Sequence, residues 1–159
     1  MANFIGEFEC KIDAKGRLML PSGLRKQLDP AAQERFVLNR GFEKCLVLYP
    51  KNEWEGISSE VNKLNQYVKK NREFIRYFYR GATELGIDNI GRMLFPKQLL
   101  TYAGVEKEVV LFAYSNRIEV WDAKTYTNLL TDEPDDFANL AEEVMGGASS
   151  KKEDDNHVS

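Results

Sequence analysis

Residues 12–21 of the chain read IDAKGRLMLP, and residues 87–96 read IDNIGRMLFP. Asp, Gly, Arg and Pro recur in these two stretches at a constant offset of 75 positions. A fixed offset of this kind is the signature of an internal repeat, so we expect two copies of one structural unit. The match continues downstream, where LVLY at 46–49 corresponds to IEVW at 118–121, and each copy spans about 50 residues.

Each copy predicts the order β-β-α-β-β, followed by a helix. The Asp and Gly of the motif (Asp13 and Gly16; Asp88 and Gly91) predict a turn, since Gly supplies positive φ and Asp accepts bonds from backbone amides two residues on. The Pro that follows ends the second strand, because proline has no N–H for the strand ladder. The predicted strands are 8–12, 17–20, 35–39 and 45–49 in the first copy and 83–87, 92–95, 108–113 and 117–121 in the second.

Two helical patterns separate the copies. One begins near Asn52 and carries an apolar stripe, and the other runs from about Lys69 to Tyr79. Six basic residues and one acid lie between Lys63 and Arg80. A solvated helix face, a contact between subunits and a contact with DNA all remain open for this segment.

Charge is segregated along the 159 residues, although the whole chain has a net charge of only −3. Residues 131–159 hold nine acids and two lysines, whereas residues 1–130 hold 20 basic and 16 acidic groups. The body is therefore mildly basic, which is compatible with a polyanionic partner. Past about Gly146 the acidic tail is expected to be disordered.

Several functional classes are disfavoured by the composition. No apolar run approaches the roughly 18 residues of a membrane span, and the N-terminus has no signal-peptide pattern. Cys10 and Cys45 lack the spacing of a zinc site and are expected to be reduced, and the single histidine is His157. No nucleotide, metalloprotease or hydrolase motif is present. We therefore expect a cytoplasmic, non-enzymatic protein without metal, cofactor or small-molecule substrate.

The first loop and the short helix after it carry the candidate DNA-binding residues. Five basic residues and one acid lie between positions 11 and 26, and the basic ones are Lys11, Lys15, Arg17, Arg25 and Lys26. A planar guanidinium can bind phosphate or guanine through two bonds, which makes Arg17 the strongest candidate. Asp13 is expected to fix the turn and orient Arg17. The alternative is a purely structural hairpin in which the arginine only pairs with Asp13.

The second loop departs from this pattern. Ile90 replaces Lys15, and Leu100 and Thr101 replace the two basic residues of the short helix. Arg92 is retained, with Lys97 on the helix, so a weaker cationic face is expected there. The second copy is expected either to contact DNA through Arg92 alone or to serve chiefly as the pseudo-symmetric partner that closes the barrel.

The doubled Asp-x-x-Gly-Arg motif, followed at once by an apolar strand and Pro, resembles the MraZ family of bacterial transcription regulators associated with the division and cell-wall gene cluster. Further matches are RGFEKCL at 40–46, the Tyr49-Pro50 junction before Trp54, and Gly81-Ala82. The resemblance covers about residues 1–130. Single motifs of this kind also occur in AbrB-like DNA-binding domains, in which two chains interlock their hairpins.

The resemblance implies an α+β fold in which two pseudo-symmetric β-β-α-β-β repeats interlock as an AbrB-like swapped-hairpin barrel with flanking helices. The expected division is a first AbrB-like repeat at 1–55, a helical connector at 56–80, a second repeat at 81–130 and an acidic, largely disordered tail at 131–159.

The resemblance also implies a function. The chain is expected to be a sequence-specific DNA-binding regulator that represses its own division and cell-wall operon, as a ring-shaped homo-oligomer on tandem promoter repeats in the nucleoid. The implied DNA-binding residues are Lys11, Lys15, Arg17, Arg25, Lys26 and Arg92. The alternative is a ring-forming scaffold or interaction module whose acidic tail binds a basic partner.

Overall fold

The structure, a computed structural model, describes residues 2–30, 34–131 and 136–146. The chain divides into two units, Met1–Tyr126 and Thr127–Ser159. The first unit holds both copies of the repeated motif.

The first repeat has the predicted order of strands and helices. Its strands are β1 (Phe4–Lys11), β2 (Arg17–Met19), β3 (Arg35–Arg40) and β4 (Leu46–Pro50). A short helix, α1 (Ser22–Arg25), lies between β2 and β3, and α2 (Lys51–Asn62) and α3 (Lys69–Tyr79) follow β4. Strand β1 begins four residues earlier than predicted, because Phe4 packs in the core and extends the strand.

The second repeat follows the same order. Its strands are β5 (Thr83–Gly86), β6 (Arg92–Leu94), β7 (Glu108–Ser115) and β8 (Arg117–Asp122). Helix α4 (Lys97–Ala103) lies between β6 and β7, and α5 (Ala123–Thr131) follows β8. In both repeats a proline precedes the short helix, and its fixed φ suits this position.

The two repeats exchange their first strands within one six-stranded antiparallel sheet, whose order is β1-β7-β8-β4-β3-β5. Strand β1 pairs with β7 of the second repeat, from Phe4 opposite Ser115 to Lys11 opposite Glu108. Strand β5 pairs in the equivalent way with β3 of the first repeat. The predicted α+β class and the interlocked, pseudo-symmetric repeats are therefore confirmed.

The sheet is open, so the predicted closure into a barrel is wrong. Strands β1 and β5 lie at opposite ends of the order and do not pair with each other. Each runs instead into a loop and then into β2 or β6, which pair with one another in a separate ribbon. The exposed edge of β1 is partly covered by Gln27, whose Oε1 accepts from the Ile5 N–H at 3.0 Å and whose Nε2 donates to the Ile5 carbonyl at 2.9 Å.

The β2/β6 ribbon lies on the pseudo-twofold axis. Its central pair is Leu18 opposite Met93, and both side chains are fully buried. Symmetric backbone bonds extend the ribbon: Leu20 N–H donates to the Gly91 carbonyl at 3.0 Å, and Phe95 N–H donates to the Gly16 carbonyl at 2.8 Å. Each loop is thus tied to the strand of the other repeat.

The larger of two apolar clusters holds the two repeats together. Its fully buried side chains come from both copies, including Leu18, Leu24, Phe36, Leu38, Met93, Leu111, Ile118 and Val120. Because residues of both repeats form this core, the β2/β6 ribbon is supported by packing from both copies.

The second unit contains the end of α5, helix α6 (Phe137–Ala141) and a π-helical turn over Glu142–Gly146. Asp136 caps α6, accepting a hydrogen bond from the Asn139 N–H at 3.2 Å. The disorder expected for the end of the tail falls on residues 147–159, which lie outside the described residues.

Candidate nucleic-acid interface

The first loop is organised by the carboxylate of Asp13. Its Oδ1 accepts from the backbone N–H groups of Lys15 at 3.0 Å and Arg17 at 2.8 Å, and its Oδ2 accepts from the Arg17 Nε at 2.7 Å. The same residue therefore closes the turn and holds the guanidinium that follows it. The Arg17 side chain is 33% exposed, and its Nη atoms make no hydrogen bond within the described residues.

The second loop repeats this geometry. Asp88 Oδ1 accepts from the N–H groups of Ile90 at 3.0 Å and Arg92 at 2.8 Å, and Oδ2 accepts from the Arg92 Nε at 2.8 Å. The Arg92 side chain is 31% exposed. The two loops thus present two arginines that are fixed in the same way and related by the pseudo-twofold axis.

These bonds stabilise the ionised form of both aspartates. The pKa of Asp13 is below its ordinary value, chiefly because the Arg17 backbone N–H donates to the carboxylate, with further support from the Arg17 side chain and the Lys15 N–H. The pKa of Asp88 is lowered by the equivalent bonds from Arg92 and Ile90. Both aspartates are therefore ionised at neutral pH, the form in which the carboxylate accepts these bonds.

Glycine is required in both loops, for conformation and for space. Gly16 has φ 88° and Gly91 has φ 92°, in the left-handed region that other residues rarely adopt. A Cβ on Gly16 would lie 2.9 Å from the Phe95 carbonyl oxygen. A Cβ on Gly91 would lie 2.9 Å from the Nη1 of Arg25.

The last contact shows that each loop lies beside the short helix of the other repeat. Arg25, from α1, lies over Gly91 of the second loop, and Leu100, from α4, lies 3.4 Å from the Cβ position of Gly16 in the first loop. The sequence predicts a poorer cationic face at the second loop if each short helix lies beside the loop of its own repeat. In the structure, Arg25 of the first repeat lies beside the second loop, which carries Arg92. Both loops therefore have a further basic residue close by, Lys15 in the first and Arg25 at the second.

Arg25 is itself paired. Its Nη2 lies 2.8 Å from Glu34 Oε1, and its Nε lies 3.2 Å from the same oxygen. Both side chains are partly exposed, so solvent screens the pair and its contribution to folding is small. All three arginines near the ribbon thus lie against a carboxylate that restricts their orientation.

The candidate lysines are placed differently. Lys11 ends β1, Lys15 lies in the first loop, Lys26 follows α1 and Lys97 begins α4, and all four are exposed. Over the part of the chain that the structure describes, none of the four forms an ion pair. Their charge is available to an anionic partner.

Two outward-facing residues of the ribbon, Met19 and Leu94, were not among the site residues predicted from the sequence. Strand alternation places Met19 on the face that carries Arg17, and Leu94 on the face that carries Arg92. Met19 is 49% exposed and Leu94 is 58% exposed. The sequence signal for these two residues is the alternation of inward and outward side chains along each strand, with Leu18 and Met93 pointing inward. The alternation is hard to see because the neighbouring residues are also apolar.

The basic segment between the repeats packs through its aromatic residues. Phe78 stacks on Trp54 of α2 with ring centroids 5.5 Å apart, and the Tyr79 hydroxyl lies 2.6 Å from Ser58 Oγ. Tyr77 is 65% exposed. Phe78 and Tyr79 are thus engaged within the chain, and a role of this segment in DNA or subunit contacts stays a prediction.

Metal-binding clusters, membrane-spanning helices and reactive cysteines are further features that would indicate a function in the part of the chain that the structure describes. Across residues 2–30, 34–131 and 136–146, no group of three His, Cys, Asp or Glu side chains could hold a metal ion. No helix in those ranges is both long and apolar enough to span a bilayer. Burial raises the pKa of the Cys10 thiol to about 11 and that of Cys45 to about 12, so both are protonated at neutral pH.

Comparison with known proteins agrees with the doubled motif. The family described as "MraZ protein, putative antitoxin-like" matches twice, over residues 3–77 and 78–146. A protein of Christiangramia forsetii named "Transcriptional regulator MraZ" is 52% identical over 147 residues, covering 92% of this chain and 95% of the relative.

Two further relatives carry the same name. The protein of Flavobacterium psychrophilum is 49% identical over 150 residues, covering 94% of this chain and 96% of its own length. That of Cytophaga hutchinsonii is 40% identical over 153 residues, covering 96% of this chain and all of the relative. With two family matches, and identities of this size over nearly the full length, the chain belongs to the MraZ family.

Proposed function

We propose that this protein is a sequence-specific regulator of transcription that binds double-stranded DNA through the β2/β6 ribbon and its two loops. It represses its own division and cell-wall operon by binding tandem promoter repeats as a ring-shaped homo-oligomer in the nucleoid. The names of the relatives support a role in transcription. The DNA-binding part rests on the geometry of the ribbon.

The observation that carries the proposal is the pair of aspartate-held arginines on one outward face. Asp13 bonds the Nε of Arg17, and Asp88 bonds the Nε of Arg92. Each bond orients a guanidinium before any ligand arrives, which lowers the entropy lost on binding. A guanidinium held in this way can bind guanine O6 and N7 through two hydrogen bonds.

The surrounding lysines fit the second requirement of DNA binding, contact with phosphates. Lys11, Lys15 and Lys26 are exposed and form no ion pair with the described residues. Each lysine that neutralises a phosphate releases counterions, so the affinity falls steeply with salt concentration. Phosphate contacts position the protein, and the ribbon arginines supply the base contacts.

Several modules on tandem repeats would raise the overall affinity. When one module is bound, the next binds at a high effective concentration, so modest individual contacts suffice. Ring assembly needs surfaces outside the ribbon, and the exposed Tyr77 of α3 is a candidate for such a contact.

The test is a gel-shift titration with duplex DNA from upstream of the gene, at two salt concentrations, beside a scrambled duplex. Arg17→Ala should weaken promoter binding about 10- to 100-fold, the typical effect of losing an arginine that binds a base through two bonds. Arg35→Ala is the matched control, because Arg35 also forms an exposed ion pair, with Glu84 at 2.6 Å, but lies on β3.

Selective binding that is lost in Arg17→Ala and kept in Arg35→Ala would support the proposal. If the wild-type protein bound both duplexes equally and weakly, or bound neither, the function would move to the scaffold alternative. Full promoter affinity in Arg17→Ala would remove Arg17 from the interface.

A further inference from the structure

The outward face of the ribbon pairs each arginine with an exposed apolar side chain. Arg17 lies opposite Leu94, and Met19 lies opposite Arg92. The two cations therefore occupy one diagonal of the face, and the two apolar side chains occupy the other. Leu18 and Met93 point into the core, so the four outward residues form a face of their own.

We propose that Met19 and Leu94 contact the 5-methyl groups of thymines in the major groove and so help to set the sequence that is bound. This inference rests on the proposed DNA-binding function and adds a second recognition chemistry to it. The arginines select hydrogen-bond acceptors, and the two apolar side chains select methyl groups.

The shape of the ribbon suits the major groove. That groove is about 12 Å wide and admits a two-stranded β-ribbon. It also presents acceptor atoms and thymine methyl groups side by side, which matches a face of alternating guanidinium and apolar groups. Diagonal neighbours across an antiparallel pair are about 7–8 Å apart, roughly two base-pair steps of 3.4 Å. The expected thymines are therefore about two steps apart.

Charge complementarity favours DNA over a second copy of the chain as the occupant of this face. The nearby loop carboxylates, Asp13 and Asp88, are engaged by Arg17 and Arg92. The exposed residues around them include Lys11, Lys15 and Lys26. A second copy presenting the same face would bring like charges together, whereas the groove is lined by phosphates.

The test uses the promoter duplex, with one thymidine at a time replaced by deoxyuridine, which lacks only the methyl group. Affinity is measured by fluorescence anisotropy with the full-length chain. At two positions the replacement should weaken wild-type binding about fourfold, the effect expected from one buried carbon. Other positions should show no change.

Leu94→Ala and Met19→Ala identify the contacts. Each should weaken binding to unmodified DNA and abolish the effect of deoxyuridine at one of the two positions, leaving the other effect intact. Both side chains are exposed, so the variants should fold, and Met19→Gln provides a second variant of similar length.

A wild-type protein that binds the promoter in an Arg17-dependent way, but ignores every deoxyuridine, would overturn this inference and leave the proposed function standing. The inference is also overturned if the alanine variants keep the deoxyuridine effects. A change in oligomeric state, measured by analytical ultracentrifugation, in place of a change in DNA binding would overturn it too. Absence of selective DNA binding would overturn both proposals together.

Discussion

Arg25 of the first repeat lies over Gly91 of the second, with its Nη1 2.9 Å from the position that a Cβ on Gly91 would take. At the equivalent place in the first loop, a Cβ on Gly16 would meet the Phe95 carbonyl oxygen at 2.9 Å. One neighbour is the end of a flexible side chain, and the other is backbone held in the ribbon.

This difference predicts unequal effects of two equivalent substitutions. Gly16→Ala should lower the free energy of unfolding by about 2–4 kcal/mol. Two costs add here: alanine is strained at this positive φ, and its Cβ clashes with a backbone carbonyl. Gly91→Ala should cost about 1–2 kcal/mol, from the strained φ alone, since Arg25 can move aside. Urea unfolding at pH 7 measures both, and equal losses would contradict the prediction.

The aspartates of the loops predict a dependence of stability on pH. Because the folded-state pKa of Asp13 is lowered, its contribution is complete above the unfolded-state pKa of about 3.9 and is lost as the pH falls toward the folded-state value. Asp13→Asn should therefore be less stable than the wild type at pH 7, and the difference should shrink as the pH falls below about 4.

Thermal melts of the two proteins between pH 7 and pH 2.5 measure this difference. Asp88→Asn should behave in the same way, because its pKa is lowered by the equivalent bonds. A stability difference that stays constant over the whole range would show that the charge of Asp13 is not what stabilises the turn.

The salt dependence of DNA binding should depend on the charge at two equivalent loop positions, which hold Lys15 in the first loop and Ile90 in the second. Lys15→Ile should reduce the slope of log affinity against log salt by about 1, and Ile90→Lys should increase it by about 1, since each phosphate contact changes the slope by about 0.9. The exchange of both residues should restore the wild-type slope. Titrations at four salt concentrations measure it, and unchanged slopes in both single variants would exclude these loops from phosphate contact.

Neighbouring residues of β2 should differ sharply in their effect on stability. Leu18 is fully buried at the centre of the ribbon, so Leu18→Ala should cost about 2–5 kcal/mol. Met19 is 49% exposed, and Met19→Ala should change stability by no more than about 0.5 kcal/mol. Chemical unfolding of the two variants tests the assigned orientation of the strand, which would be wrong if the order were reversed.

Much of the local structure could be predicted from the sequence. The spacing of Asp, Gly and Arg in the motif predicted both turns, because the side chain of Asp reaches the amides that the turn leaves unpaired. Proline predicted the ends of β2 and β6 to within one residue. The bounds of α3, Lys69–Tyr79, also match their prediction, since the helix contains no Gly or Pro to interrupt it.

The packing of one repeat against the other could not be predicted from the sequence alone. Strand exchange was expected only from the family resemblance, and the barrel that came with it is an open sheet. The placement of Arg25 against Gly91 depends on packing between segments 66 positions apart, which no local pattern encodes. The outward direction of Met19 and Leu94 likewise depends on the β2/β6 register.

Because the strands are exchanged within a single chain, the two loops can evolve independently of each other. Two separate, identical chains joined in this way would carry every substitution twice, once on each side of the axis. Here each side is encoded at its own position, so a substitution alters one side and spares the other. Position 15 is lysine where position 90 is isoleucine, and position 25 is arginine where position 100 is leucine. A pair of identical chains could not hold these differences.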